Sequence, residues 1–393
     1  MSVPFRSVFA QLLELIPRAQ FDALVRKHKH EAHSKGFPSH TQFVAMLFMQ
    51  LGQADSLREI ELGLGSIPDK FNHLGLTDAP ARSTLAYANE HRPWQLYEDL
   101  FKLALTTAQT LARKGQAHGL RFKQKLFSID ATVIDLCAAS FDWARFRRTK
   151  GAVKLHLTLD HQGCLPCYAV ITEGRQHEAT VARTLEFPRG SMVTMDRGYN
   201  DYALFGRWID RGIDFVTREK SNADIAWVGE RAVPVNRNIR RDTLIRLAGD
   251  KAQKDCPHLI RRVVVWLEDK QEELVLWTNN LTLGATTIAA IYKARWQIEL
   301  FFKSLKQNFH VKTFVGTSAN ALKTQLWIAL IAMLLVLIVR MQAVLRWSIS
   351  NLVAFLRLHL LTLASLSRLL DEPVPAPQRP APEATPLLPL AYG

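Results

Sequence analysis

The sequence predicts a multidomain protein with an N-terminal all-α domain, an α/β core that carries a β-rich insertion, and C-terminal helices. Three observations lead to this fold class. The chain has 393 residues, which is long enough for two or three domains. Helical periodicity in roughly the first 118 residues gives way to short β-branched runs. A long helical zone then runs from about Thr286 to Leu370.

Residues 1–118 are predicted to form the helical N-terminal domain. Ser56 and Glu59 have the spacing of a capping box, which marks the start of a helix. A basic cluster occupies residues 26–30, and a short helix predicted at residues 82–89 suits a helix-turn-helix. We therefore predict a DNA-binding domain, so that a fragment beginning near Gly119 should bind DNA weakly and without preference. The alternative is a solvated charged face on an ordinary helical bundle.

Residues 119–220 are predicted to form the first part of the α/β core. They contain five short apolar runs, namely KLFSID, VKLHLTLD, CYAVIT, SMVTMD and DFVTR. A helical stretch at residues 177–185 separates the third run from the fourth, as in a mixed α/β sheet. Two further runs, VVVWLED and ELVLWTNN, identify residues 221–284 as a β-rich insertion.

Residues 285–371 are predicted to be helical, with a break near residues 316–320. Residues 285–345 form the second part of the core, and residues 346–371 form a C-terminal helical segment. The 14 apolar residues from Leu326 to Val339 are too few for a transmembrane helix, so a buried core helix is expected. Residues 372–393 contain seven prolines and are expected to be an extended or disordered tail.

The composition indicates a polyanionic partner. Lys and Arg number 50 against 36 Asp and Glu, which leaves a formal charge of +14. The electrostatic field of a protein with this charge attracts DNA, but it also attracts anionic membranes. Net charge alone therefore does not distinguish between these two partners. The first 20 residues lack the apolar run of a secretory signal, so a cytoplasmic location is expected.

Two aspartates follow apolar, strand-like runs. Asp130 ends the run LFSID and Asp196 ends the run MVTMD. In an open α/β sheet, carboxylates at the C-terminal ends of strands meet at a crevice where ligands bind. The two side chains are therefore candidates for sharing metal ions. The alternative is that each Asp simply suits the turn after a strand.

A predicted helix beginning near Tyr292 carries a lone acid among cations. Five residues fall within an arc of about 80° at 100° per residue, and we call them the helix stripe: Tyr292, Arg295, Glu299, Lys303 and Lys306. Four others are predicted to face a core: Trp296, Leu300, Phe301 and Leu305. No acid occurs between Leu300 and Lys312, whereas a solvated helix face normally alternates charges. The stripe is therefore expected to face an external polyanion.

These residues resemble a known family. The spacing Tyr292-x2-Arg295-x3-Glu299-x6-Lys306 resembles the YREK signature of DDE transposases of the insertion-sequence-4 family. Asp130 in FSIDAT is similar to the first catalytic Asp of that family, and Asp196 in MDRGYNDY is similar to the second. The separation of 103 positions from Asp196 to Glu299 leaves room for the β-rich insertion found there in the family.

The resemblance implies a ribonuclease-H-like core in which Asp130, Asp196 and Glu299 hold two Mg²⁺ ions, which Mn²⁺ can replace. Water would first free a 3′-hydroxyl at the element end, and that hydroxyl would attack a second phosphodiester. DNA contacts are assigned to the following residues: Tyr292, Arg295, Lys303, Lys306, Arg197 and Trp277. Trp277 would stack on an extruded base, although a core tryptophan is the alternative.

The expected partners are the terminal inverted repeats of the element and the target DNA, bound by a homodimer, with no membrane. A related metal-dependent nuclease that cleaves DNA without joining it is the nearest alternative function, because it would need the same acids. A DNA-binding regulator without catalysis is the second alternative. Three retained acids count against the regulator, since a binder has no use for carboxylates that face phosphate.

Overall fold

The N-terminal region is helical in the computed structural model of the chain, as predicted. The structure describes residues 6–32, 34, 36–114, 124–137, 140–147, 150–235 and 237–373. Ser56 caps a helix as predicted, because its hydroxyl accepts a hydrogen bond from the backbone N–H of Glu59. The described helices of this region are α1 (Val8–Leu13), α2 (Arg18–Lys27), α3 (Ser39–Gly52), α4 (Leu57–Gly65), α5 (Phe71–Leu74), α6 (Arg82–His91) and α7 (Gln95–Lys114).

A large mixed sheet follows. Its described strands are β1 (Leu126–Leu136), β2 (Arg145–Arg147), β3 (Lys150–Asp160), β4 (Leu165–Glu173), β5 (Met192–Met195), β6 (Asp214–Arg218), β7 (Ile225–Glu230), β8 (Ile239–Leu247), β9 (Ile260–Leu267) and β10 (Glu272–Thr278). Their order is β2-β3-β1-β5-β6-β10-β9-β8-β7, and β4 pairs with β3. Strands β1, β3 and β4 are antiparallel neighbours, whereas β1, β5 and β6 run parallel. The predicted α/β region therefore contains both kinds of pairing.

The predicted insertion is rich in strands, but it does not form a separate sheet. Strand β10 pairs antiparallel with β6, so β7 to β10 continue the central sheet. The sequence runs VVVWLED and ELVLWTNN correspond to β9 and β10. Strands β7 and β8 were not predicted, and a short helix, α10 (Asp250–Asp255), lies between β8 and β9.

Helices cover both faces of the sheet. The predicted helix at residues 177–185 is shorter than expected, and the long helical zone has more breaks than the predicted one near residues 316–320. The helices are α8 (Glu178–Ala182), α9 (Tyr202–Asp210), α11 (Ala285–Ala294), α12 (Trp296–Asn308), α13 (Ala319–Gln342), α14 (Ile349–His359) and α15 (Leu366–Asp371). Arg295 interrupts the helix that was expected to carry the whole stripe, so Tyr292 lies on α11 and Glu299 lies on α12.

Helix α13 is the apolar segment that the sequence assigned to the core. By length and composition it could cross a membrane, but 94% of its most apolar 18-residue window is buried inside the protein. It packs against α3, α6 and α7 of the N-terminal region. For example, Trp327 of α13 stacks on Trp94 with their ring centroids 6.4 Å apart. The prediction of a buried core helix agrees with this packing.

The N-terminal helices do not have a hydrophobic core of their own. Buried residues of α1, α3 and α7 belong to one continuous cluster with those of α12, α13 and α14. The predicted boundary at residues 118 and 119 lies outside the described residues, as does the predicted tail from residue 374 onward. Within the described part, helices from the two ends of the chain close one core.

Candidate active site

Strand register brings the two candidate aspartates side by side. Strand β1 pairs in parallel with β5, and the last paired residues are Ile129 and Met195. Asp130 and Asp196 are the next residue on each strand, so they lie at the same level. The prediction that both residues end a strand holds only for Asp196, because β1 continues to Leu136. Strand β5 ends at Met195, whereas β1 continues beside it to Leu136.

The apolar residues that precede the two aspartates on each strand show which face of the sheet the aspartate side chains project from. Side chains two residues apart on a strand share a face. Leu126 of β1 and Met192 of β5 lie on that face, and both belong to the cluster that includes Ile288 and Ile291 of α11. Asp130 and Asp196 therefore project toward the end of α11, where α12 begins.

Glu299 reaches the same place from α12. The guanidinium group of Arg295 lies between it and the strands: Nη2 donates to Glu299 Oε1 at 2.6 Å, and Nη1 lies 3.4 Å from Asp130 Oδ2. One guanidinium thus contacts two of the three predicted acids. Both acids are largely shielded, with side-chain exposures of 20% for Asp130 and 32% for Glu299. Arg295 thus joins Asp130 to Glu299, and strand register places Asp196 level with Asp130.

The electrostatics of this site are unfavourable to a fully ionised Asp130. Burial raises the pKa of its carboxyl to about 6, with smaller contributions in the same direction from Glu299 and Asp196. The backbone N–H of Ala131 and the charge of Arg295 act in the opposite direction and do not fully compensate. Burial therefore makes ionisation of Asp130 costly, and a cation beside its carboxylate would reduce that cost.

The donor chemistry of the acids fits a hard divalent cation such as Mg²⁺, which prefers carboxylate oxygens. Among the described residues, however, no three His, Cys, Asp or Glu side chains are close enough together to hold an ion in this arrangement. Arg295 lies in the space between Asp130 and Glu299. Ion binding would therefore require this guanidinium to move toward another anion.

The raised pKa of Asp130 predicts a stability effect. The unfolded carboxyl, with a pKa of 3.8, loses its proton before the folded one. The free energy of unfolding should therefore fall as the pH rises from about 4 through about 6. Asp130→Asn removes the cost of ionising this buried carboxyl. The substitution should therefore stabilise the protein in EDTA at pH 7 by about 2–3 kcal/mol. Urea unfolding at pH 4 and pH 7 would measure it; equal effects of the substitution at both pH values would contradict this origin.

The other members of the stripe differ in exposure. Tyr292 is buried, and the Arg295 guanidinium lies 5.5 Å from the centroid of its ring. Burial raises the pKa of its hydroxyl to about 12, and this hydroxyl has no hydrogen-bond partner among the described residues. Lys303 is exposed, and Lys306 Nζ donates to the Val133 carbonyl of β1 at 2.9 Å. The lysines accordingly extend the site along α12 as a cationic surface.

Comparison with known proteins supplies the assignment. Residues 121–335 match the family model described as "Transposase DDE domain", which covers more than half of the chain and contains all three acids. The chain belongs to the DDE transposase family. Residues 5–77 match a second model, described as "Domain of unknown function (DUF4372)".

Relatives of this DDE transposase carry consistent names. A protein of Sinorhizobium fredii named as transposase y4zB is 32% identical over 258 residues, covering 65% of this chain and 70% of the relative. A protein of Geobacillus stearothermophilus, named as a transposase for insertion sequence element IS5377, is 27% identical over 255 residues. The match covers 64% of this chain and 66% of the relative. Among solved structures, the piggyBac transposase synaptic complex with hairpin DNA can be superposed with a TM-score of 0.46. The superposition covers 96% of this chain and 84% of the piggyBac chain, at 12% sequence identity. That likeness is too distant to add to the assignment.

Two predictions about aromatic residues of this transposase are wrong. Trp277 is fully buried, and its indole N–H donates to Glu219 Oε2 at 2.7 Å, so it is a core residue and has no face for a base. Trp296 and Leu300 were expected in the core, but they are 56% and 41% exposed on α12. The helix packs through Phe301 and Leu305, as expected, and through Ile298. The exposed indole near the acids is therefore that of Trp296.

Two groups around Asp196 were not predicted from the sequence. Tyr199 is fully buried, and its hydroxyl has no hydrogen-bond partner among the described residues. Burial raises the pKa of this hydroxyl, and the charge of Asp130 adds to the effect. Glu178 of α8 lies so close to Gly198 that a Cβ there would stand 2.6 Å from its Oε2. The signal for both in the sequence is the run Arg-Gly-Tyr after Asp196, because a residue larger than Gly198 would displace the Glu178 carboxylate. Arg197 beside them is exposed.

Proposed function

We propose that this transposase binds the ends of its own insertion sequence, cleaves the DNA there and joins the 3′ ends to a target. The observation that supports the proposal is that Arg295 contacts both Asp130 and Glu299, while Asp196 lies level with Asp130 at the end of β5. Three antiparallel strands followed by two parallel ones, in the order β4-β3-β1-β5-β6, also support a ribonuclease-H-like core. The spacing of Tyr292, Arg295, Glu299 and Lys306 supports placement in the insertion-sequence-4 family.

In this proposal Asp130, Asp196 and Glu299 hold two divalent ions, Mg²⁺ or Mn²⁺. When bound, such ions activate the attacking oxygen and stabilise the leaving oxygen of an in-line displacement at phosphorus. The chain's own residues bind and orient the strand. Arg295 is suited to grip a phosphate with two N–H groups once it leaves the carboxylates. Tyr292, with its unpartnered hydroxyl, is placed to donate to the same phosphate group.

The charge distribution supports a DNA surface along α12 rather than on the N-terminal helices. Residues 285–373 contain 10 Lys and Arg against 3 Asp and Glu, whereas residues 1–118 contain 13 against 11. The predicted basic cluster at residues 26–30 is also partly neutralised. Asp99 pairs with Lys27 at 2.6 Å and with His28 at 2.9 Å, and burial lowers the pKa of His30 to about 3. Phosphate contacts are therefore assigned mainly to Lys303, Lys306 and their neighbours on α12 and beyond.

Recognition of the element ends remains assigned to the N-terminal region, through α6. One face of this helix is exposed, with Arg82, Ser83 and Tyr87 on it. The opposite face is anchored: Asn89 accepts from Gln42 at 2.9 Å, and its carbonyl accepts from Asn320 at 2.8 Å. A rigid helix with an exposed polar face suits contact with a DNA groove. The enzyme would work in the cytoplasm as a homodimer on DNA.

The function is tested with the full chain and a labelled duplex carrying the terminal sequence that flanks the reading frame. Cleavage and joining to a target duplex are expected with Mg²⁺ or Mn²⁺, because the proposed ligands are all carboxylates. EDTA should abolish both reactions, and added Mg²⁺, but not Zn²⁺, should restore them. Activity that survives complete chelation would contradict the proposed chemistry. Cleavage without joining would favour the nuclease alternative, and specific binding without cleavage would favour the regulator.

A further inference from the structure

A buried glutamine interrupts the apolar sequence of α3. Gln50 is fully buried near the end of this helix, where its neighbours in sequence are Met49 and Leu51. A buried side-chain amide costs free energy unless it forms hydrogen bonds. Gln50 forms them with a residue 260 positions away: its Oε1 accepts from the backbone N–H of His310 at 2.8 Å, and its Nε2 donates to the His310 carbonyl at 3.3 Å. The amide thus pairs with both backbone groups of one residue.

His310 lies just beyond α12, the helix that carries Glu299. The last carbonyl groups of a helix have no partners within that helix, and a side chain from the N-terminal region binds one of them here. Gln53, which directly follows α3, donates through Nε2 to the carbonyl of Asn308, the last residue of α12, at 2.9 Å. Gln50 and Gln53 are about one helical turn apart, so the end of α3 binds the end of α12 at two points.

Helix α13 binds the same segment through a second buried glutamine. Gln325 Nε2 donates to the carbonyls of His310 at 2.8 Å and Thr313 at 2.6 Å, and Gln325 Oε1 accepts from the N–H of Val315 at 3.0 Å. Residues 309–318, which connect α12 to α13, are irregular. Side-chain amides therefore satisfy backbone groups that a helix or a sheet would otherwise satisfy, and they fix the point at which α12 ends.

This attachment acts on the active site through the length of α12. Glu299 precedes Asn308 by nine residues, which corresponds to about 14 Å along the helix axis at 1.5 Å per residue. Backbone hydrogen bonds link each turn to the next, so a shift at one end of this short helix moves the other end. A displacement of about 1 Å at a reacting centre can lower a rate roughly 100-fold. The position of the end of α12 therefore matters for the Glu299 carboxylate.

We infer that Gln50 is a positioning residue for Glu299: by binding His310 it keeps α12 where the Glu299 carboxylate lies beside Arg295 and Asp130. The inference rests on the proposed function, in which Glu299 is a metal ligand. It gives the N-terminal region a part in the chemical step, in addition to the recognition of element ends assigned to α6. Loss of a residue that orients a metal ligand lowers metal affinity or activity about 10- to 100-fold.

The test compares Gln50→Met with Gln11→Met in the full-length chain, because Met matches the length of Gln without its hydrogen bonds. Gln11 is the matched control, since its amide also joins an N-terminal helix to a distant segment. Its Nε2 donates to the Ala364 carbonyl at 2.7 Å, and its Oε1 accepts from the Leu366 N–H at 2.9 Å. Each substitution leaves two backbone groups without their partner, so both should lower the melting temperature.

Only Gln50→Met is expected to change the chemical step. It should cleave the element-end duplex about 10- to 100-fold more slowly than the wild type and need more Mg²⁺ for half-maximal cleavage. Its affinity for the duplex should stay unchanged, because Gln50 is buried away from the DNA surface proposed along α12. Gln11→Met should match the wild type in cleavage rate, Mg²⁺ requirement and affinity.

A second readout uses the protein without DNA or metal. The chain is labelled with fluorinated tryptophan, and the fluorine resonance of Trp296, in the first turn of α12, is assigned with the variant Trp296→Phe. A displaced α12 should shift this resonance in Gln50→Met and leave it in place in Gln11→Met. If Gln50→Met does not fold, Gln53→Met gives the same comparison, because Gln53 is only half-buried.

Two results would overturn the inference. One is a Gln50→Met protein with the Mg²⁺ requirement and the Trp296 resonance of the wild type. The other is an equal loss of cleavage in Gln50→Met and Gln11→Met, which would trace the effect to stability alone. Wild-type protein that cleaves no element end would instead overturn the proposed function, and the fluorine comparison would still test whether Gln50 sets the position of α12.

Discussion

Glu299→Gln should lower DNA cleavage by several orders of magnitude and leave DNA binding intact. The substitution keeps the size of the side chain but removes a charge, so an ion at the site would be lost or misplaced. It also weakens the 2.6 Å contact with Arg295, because a neutral amide holds a guanidinium less strongly than a carboxylate does, and this makes the guanidinium more available to phosphate. Binding is therefore expected to stay equal or to tighten slightly, whereas Lys306→Ala should weaken it and lower the salt slope by about one unit.

Gel shifts and a cleavage assay on the same element-end duplex would measure both effects. Glu273→Gln is the matched control, because Glu273 is an exposed glutamate on β10 in the insertion. It should cleave normally. The assigned role of Glu299 is wrong if Glu299→Gln cleaves like this control. It is also wrong if the variant loses DNA binding as severely as Lys306→Ala.

Removing residues 1–118 should prevent folding of the remainder. The sequence alone suggested that such a fragment would still bind DNA weakly, but the packing of α13 argues otherwise. Deletion would uncover the faces of α13 that contact α3, α6 and α7. Burial of one large apolar side chain contributes about 1.5–3 kcal/mol, and the deleted part supplies among others Phe43, Leu85, Leu100 and Phe101 to the core. Their loss approaches the roughly 5–15 kcal/mol that stabilises a typical domain.

The expected readouts are an insoluble fragment when residues 119–393 are expressed alone, and recovery when residues 1–118 are co-expressed as a second chain. The recovered complex should elute as one species and melt cooperatively. A fragment 119–393 that is soluble alone, melts cooperatively and cleaves DNA would show that the N-terminal helices are a dispensable domain, as the sequence first suggested.

Asp130, Asp196 and Glu299 could be proposed from the sequence because their local patterns are strong, but the sequence could not supply strand register. Asp130 and Asp196 are 66 residues apart, so their common level depends on tertiary pairing. Strand β8, IRRDTLIRL, was missed for a related reason, since its arginines interrupt the apolar alternation that marks strands.

Helix α12 shows a second limit of sequence patterns. A helical wheel assumes one continuous helix and an apolar face that is always covered. Here Arg295 interrupts the helix, and the available partners cover Phe301 and Leu305 but leave Trp296 and Leu300 exposed. Which apolar side chains are covered depends on where α13, α14 and β1 lie around the helix. That arrangement is decided by parts of the chain distant in sequence.

The single core that joins both ends of the chain also constrains how the protein folds during synthesis. Helix α7 ends at Lys114 and its partner α13 begins at Ala319, so the ribosome adds about 200 residues between them. At about 5–20 residues per second this takes roughly 10–40 s. Throughout that interval the apolar faces of α3 and α7 lack their partner and are exposed to chaperones. A chain terminated before α13 could not complete its fold, so only nearly full-length translation products would yield a working enzyme.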